Sequence, residues 1–110
     1  MATNYKSPAQ VQPLANTLTT LYTVPASTET IFSAINVCNT GASVATFSIA
    51  FRPNGEAINP KHYIIFDGTI ASKDTYMINQ GMSMDAADVL SVIASSASVS
   101  FTGFYAEVTP

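Results

Sequence analysis

His62 is the only imidazole in this chain and Cys38 the only thiol, so any covalent or acid–base chemistry would have to begin with them. A cysteine nucleophile needs a partner base within hydrogen-bond reach. Cys38 sits inside a strand-like run and His62 in a different segment, so Cys38 reads as a small buried hydrophobe. A zinc site needs three or four ligands. Here His62 would have to recruit Asp67 or Asp74 with no second His or Cys to help. Asp85 and Asp88, in "DAAD", lack the oxygen-rich spacing of a calcium loop and read as turn residues. Glu29 and Glu56 have nothing to set them the ~5–10 Å apart that a glycosidase pair requires. No "G-x-S-x-G" elbow occurs, and the five glycines are too scattered for a phosphate-binding loop. The expectation is no catalytic residue, no cofactor and no metal. One stretch could still meet a ligand: "RPNGEAINPKH", 52–62, a loop able to present Asn54, Asn59 and His62.

The elements that would position such residues are short strands. "TLTTLYTV", 17–24, alternates Leu18, Tyr22 and Val24 against threonines, as a half-buried strand does, and Pro25 stops it. Residues 30–38 put Ile31, Ile35 and Val37 on one face. Phe32, Ala34, Asn36 and Cys38 fall on the other. "NTG", 39–41, is turn chemistry. Residues 44–51 align Phe47, Ile49 and Phe51. "YIIF", 63–66, is apolar on both faces and ends at an Asp67-Gly68 turn. Further strands fall at 74–79, 89–95 and 98–108, with a short extended piece within 80–88. Gly103 interrupts the last one and marks a bulge or a close backbone approach. No helical stripe exceeds two turns. Seven or eight short strands at this spacing predict an all-β fold, a two-sheet antiparallel sandwich of Greek-key or jelly-roll-like topology. The expected core is Ile35, Val37, Phe47, Ile49, Ile65, Val92 and Phe101.

Two domains of behaviour are expected: an extended N-terminal arm, 1–16, and one sandwich, 17–110. The arm contains Pro8 and Pro13, which bar a central strand position, and a single charge, Lys6. Its scattered apolar side chains, Met1, Tyr5, Val11 and Leu14, are suited to shallow pockets on a neighbouring subunit. The N-terminal stretch has no apolar h-region, so no secretory signal is expected, and no apolar run is long enough to span a membrane.

Composition sharpens the surface. Charged residues make up 10% of the 110 residues, against roughly 25% in an ordinary globular domain, and Ser plus Thr account for about a quarter. The net charge of −3 offers no basic patch for phosphates, so no nucleic-acid partner is expected. Little charge also means little repulsion between copies and few lysines to block the sheet edges. The chain is therefore expected to associate with itself, a trimer being the favoured state, or with other proteins.

From "TLYTVPASTETIFSAINVCNTGASVATFSIAFRPNG" through "HYIIFDGTIASKDTYMINQGMSMDAADVLSVIASSASVSFTGFYAEV", Thr17 to Val108, the chain resembles small β-sandwich virion proteins of tailed bacteriophages and prophages, of the tail-region or accessory type. The resemblance lies in the order of the elements: "LYTVP", an Asn-rich turn after "VCN", "R-P-x-G", a Tyr-to-Asp segment, an "A-x-D" turn and a final "V-S-F" strand. It implies a non-enzymatic virion component without cofactor, a repeated subunit that decorates or joins capsid, neck, tail or fibre parts. The alternative is a carbohydrate- or receptor-binding module of a tail fibre, built on the 52–62 loop.

Overall fold

The computed structural model describes residues 2–79 and 81–109, and these form ten β-strands and two single 3₁₀ turns. In chain order the strands are β1 (Ala2–Tyr5), β2 (Ala9–Val11), β3 (Thr19–Thr23), β4 (Glu29–Asn39), β5 (Ala45–Arg52), β6 (Tyr63–Ile70), β7 (Thr75–Ile78), β8 (Met82–Met84), β9 (Val89–Ala94) and β10 (Val99–Thr109). One sheet runs β1-β10-β4-β7, with β2 continuing β1 along β10 and β8 continuing β7 along β4. The other runs β3-β9-β5-β6. Every pairing is antiparallel. The chain passes from one sheet to the other at six of the nine connections between these strands, and the two sheets pack as the antiparallel sandwich expected.

The inward faces of the two sheets close over one apolar core. Phe32, Phe47, Phe101, Ile49, Met84, Leu90, Val37 and Val92 are all essentially solvent-free. Six of the seven expected core residues are fully buried, and Ile65 is partly buried against the same cluster. β10 keeps a strict period of two, with Val99, Phe101, Gly103, Tyr105 and Glu107 facing in. Gly103 is there because space is absent: a Cβ at that position would come 2.5 Å from Phe32 Cε1. Close packing, one of the two readings of this glycine, is what the structure contains.

Bulges explain where alternation alone misplaces side chains. In β4, Phe32 stands opposite Tyr105 and Ala34 opposite Phe104, so Ser33 is an extra residue. A one-residue insertion flips every later side chain to the other face. Thr30 and Phe32 therefore point inward before it and Ile35, Val37 and Asn39 after it, while Ile31 is turned out at 48% exposure. Leu21 is a similar insertion in β3: Leu21 and Tyr22 are both buried, and Leu18 is left at the surface. The Asp67-Gly68 pair does not end a strand. It is an irregularity within β6, with Asp67 at φ 51° and its N–H donating to Ser48 Oγ at 2.9 Å. Cys38 is half-buried on the outer face rather than in the core.

The "NTG" turn works through a side chain. Asn39 is fully buried. Its amide donates to the carbonyls of Ser43 (2.9 Å) and Ala71 (3.2 Å), and its Oδ1 accepts from Gly41 N and Ser98 Oγ, both at 2.9 Å. One satisfied amide thus ties three connections together at one end of the sandwich.

The arm is not separate from the sandwich. Residues 2–5 and 9–11 are edge strands on β10. The prolines exclude a central position but not an edge: Pro8 falls between β1 and β2, and Pro13 follows β2 and is buried.

Phe47→Ala and Phe101→Ala should each cost about 3–5 kcal/mol, and Gly103→Ala about 1–3 kcal/mol by overpacking against Phe32. Urea midpoints that barely move for all three would contradict this core.

Candidate functional site

The side chains expected to meet a neighbour are divided by the fold. Met1 lies outside the described residues. Val11 is spent on the chain's own core, where it packs as a partly buried side chain. Tyr5 and Leu14 remain outward at 89% and 73% exposure. Both sit on the flank formed by the arm and β3, together with the partly exposed Leu18.

This flank is locked by a polar cluster that spans both sheets. Tyr22, from β3, donates its hydroxyl to Glu107 Oε2 on β10, and the Thr30 hydroxyl lies 2.8 Å from the Tyr22 oxygen. Glu107 also faces Lys6 Nζ of the arm at 3.6 Å, and the carboxylate side chain is only 13% exposed. Around these atoms the Tyr22, Phe32 and Tyr105 rings meet with centroids 4.5–5.3 Å apart. Burial pushes the Tyr22 hydroxyl well above its ordinary value of 10.0, and its hydrogen bond to Glu107 adds to that. Tyr105 is raised as well, by burial first and the Glu107 charge second. A nearly buried carboxylate is stable only with donors, so Tyr22 and Lys6 make Glu107 the joint between arm, β10 and the opposite sheet.

The opposite flank is apolar and open. β6 and β7 are outer strands of their respective sheets. Between them runs a groove of about 470 Å³ lined by Ile64, Ile65, Tyr76, Met77, Ile78 and Asn79, none of them charged. Phe66, Met77 and Tyr76 stand out from this side at 66%, 59% and 46% exposure. The sequence pattern missed the groove because its residues belong to two strands that look unrelated until the fold sets them side by side.

The 52–62 loop does not present its three residues together. His62 is buried at 5% exposure. Its Nδ1 accepts from Asn59 N at 3.1 Å, and its Nε2 lies 3.4 Å from Glu56 Oε1. Asn59 Oδ1 accepts from Lys61 N, completing a capping box around Pro60–His62. His62 is turned inward because it holds the loop's shape. Asn54 alone keeps an uncommitted, exposed side chain; its backbone N–H donates to Asp88 Oδ1 at 2.8 Å. Among the described residues, no three His, Cys, Asp or Glu side chains gather in a metal-binding group.

No family model matches the chain, and no curated protein matches it. Two solved structures are similar to it over 94% of its length. One is a crystal structure of a pentameric capsid protein isolated from metagenomic phage sequences, at 14% identity and a TM-score of 0.42. The other is a pentameric capsid protein of the same description solved by iodide phasing, at 15% identity and 0.29. The chain spans 58% and 63% of those proteins' lengths.

Tyr22→Phe should cost about 1–3 kcal/mol, since it leaves the Glu107 and Thr30 oxygens short of a partner. Because the folded state holds the Tyr22 proton more tightly than the unfolded chain, its stabilisation is intact below about pH 10 and declines as the unfolded tyrosine ionises above it. Thermal melts should therefore show a steeper alkaline loss for the wild type than for Tyr22→Phe; equal slopes would remove Tyr22 from the account. Deleting residues 2–5 should leave the melting temperature nearly unchanged, whereas deleting 2–15 should lower it clearly by stripping Val11 and Pro13 from the core.

Proposed function

We propose that this chain is a non-enzymatic structural subunit of a bacteriophage virion, a small sandwich that repeats on the particle and decorates or joins capsid, neck, tail or fibre components. The observation that carries the proposal is the pairing of a sparsely charged surface with exposed apolar side chains on both flanks. Tyr5 and Leu14 stand on one side and Phe66, Tyr76 and Met77 on the other, in a chain with 10% charged residues. Solitary soluble proteins seldom keep such surface bare, whereas permanent packing against copies or other virion proteins covers it. Two unlike flanks favour head-to-tail contacts, which close into rings when the rotation permits. The resemblance of residues 17–108 to small phage sandwich proteins supports the same reading.

Light scattering of the purified chain should give the mass of an oligomer, with a trimer as the expected state. Met77→Lys and Phe66→Asp should weaken association at least tenfold while moving stability by less than about 0.5 kcal/mol, as surface changes do. A wild type that stays monomeric at high concentration, and is absent from purified particles by mass spectrometry, would overturn the proposal.

A further inference from the structure

The two halves of the arm are held on β10 by different means. β2 is fixed by side chains: Ala9 and Val11 pack against the core, Pro13 is buried, and the Gln12 amide donates to the Ala97 carbonyl at 2.6 Å. β1 itself has no such anchor; the nearest is Lys6, one residue beyond it, whose ammonium faces Glu107 at 3.6 Å. All four of its side chains are exposed, Tyr5 at 89%, and it holds to β10 by the ladder from Ala2↔Thr109 to Tyr5↔Ala106. Between the halves, Tyr5 stands opposite Ala106 and Ala9 opposite Gly103. Lys6, Ser7 and Pro8 therefore face only Tyr105 and Phe104, one residue too many. Pro8 donates no hydrogen bond, and it restrains Ser7 to extended backbone. Lys6–Pro8 thus join a half fixed by side chains to a half whose own side chains are all exposed.

We propose that β1 is exchanged between copies: Ala2–Tyr5 of one chain pairs with Ala106–Thr109 of a second copy, in the register these strands have within one chain, while β2 stays in place. The inference rests on the self-association proposed above and names the contact that carries it. The occupant is a second copy because β10 already matches this strand: the pairing is made by backbone groups, and every copy carries the same two partners. Exchange of an identical element keeps each ladder bond and adds only the contacts of the new neighbour. Release sacrifices no buried side chain of β1. Tyr5, which touches little within one chain, gains a surface to cover it. The three joint residues reach about 10 Å, so the acceptor edge must lie beside the donor's own. An edge left empty would be an open template for unwanted pairing, and donation by each copy to the next closes it in every copy of a ring.

The test uses the full chain with Thr3→Cys and Val108→Cys, which stand opposite each other in the ladder, and Cys38→Ser to remove the native thiol. Equal amounts of unlabelled and ¹⁵N-labelled chains are unfolded together, refolded, oxidised and digested with trypsin. Disulfide-linked peptides 1–6 and 74–110 are then weighed. Exchange between randomly mixed copies predicts that about half of the linked pairs combine one labelled and one unlabelled peptide. Pairs that are all of one label would overturn the exchange. Light scattering of the same sample then tells whether self-association stands without it, as an oligomer, or fails with it, as a monomer. If no such linked pair forms, the register is wrong and the proposal falls.

Discussion

The larger sheet is organised around β10, which is paired along both of its edges. Its inward positions run Val99, Phe101, Gly103, Tyr105 and Glu107 without an inserted residue, and each neighbour accommodates it with a surplus residue at the same level. Ser33 is the extra residue of β4, and the Lys6–Pro8 segment carries the extra one of the arm, both against Phe104 and Tyr105. Bulges bend a strand and increase its twist. Here they occur beside Gly103, whose missing Cβ admits Phe32, and beside Tyr105, which stacks on that ring. Farther along, the inward position belongs to Glu107, where the apolar core gives way to a carboxylate held by Tyr22 and Lys6. The strand thus passes from apolar packing at Val99 and Phe101 to a polar clasp near its end.

That gradient divides the arm's behaviour. Beside Phe101 and Gly103, β2 contributes to the core; beside Ala106 to Thr109, β1 adds only a ladder. Local opening of low cost is expected where few apolar side chains are buried. The sandwich accordingly has an apolar groove on the β6–β7 flank and, on the other, a strand whose own side chains are all exposed. No charged residue lines the β6–β7 groove, so covering it desolvates no ion of its lining.

The sandwich was legible in the sequence because turn residues punctuate it and because Phe47, Ile49, Val92 and Phe101 alternate cleanly. What was illegible has a common cause, the single-residue insertion. Ile31 and Ile35 share a parity in sequence but not a face in the fold, and nothing in "ETIFSAINVCN" marks Ser33 as the surplus residue. Asn39 was readable as a turn former but not as a buried amide serving three loops, since its partners lie up to 59 residues away. The arm was readable as extended and unfit for a central strand; that it covers the edge of β10 depends on pairing that no local pattern encodes. Of the site residues, Tyr5 and Leu14 were legible as apolar side chains on a segment with a single charge, Lys6. The Tyr22–Glu107 clasp and the β6–β7 groove arise only from tertiary juxtaposition. His62, the most conspicuous residue for chemistry, is used to cap a loop.

The central claim is that β10 has one edge with two strengths, and native-state hydrogen exchange of the backbone amides measures this most directly. Ladder amides linking β2 to Phe101–Gly103 should exchange only through global unfolding, with protection that falls steeply as denaturant is added. Those linking β1 to Ala106–Thr109 should exchange through a smaller, denaturant-insensitive opening. A single denaturant-sensitive opening shared by β1, β2 and the core would contradict the account and make the arm one cooperative unit with the sandwich.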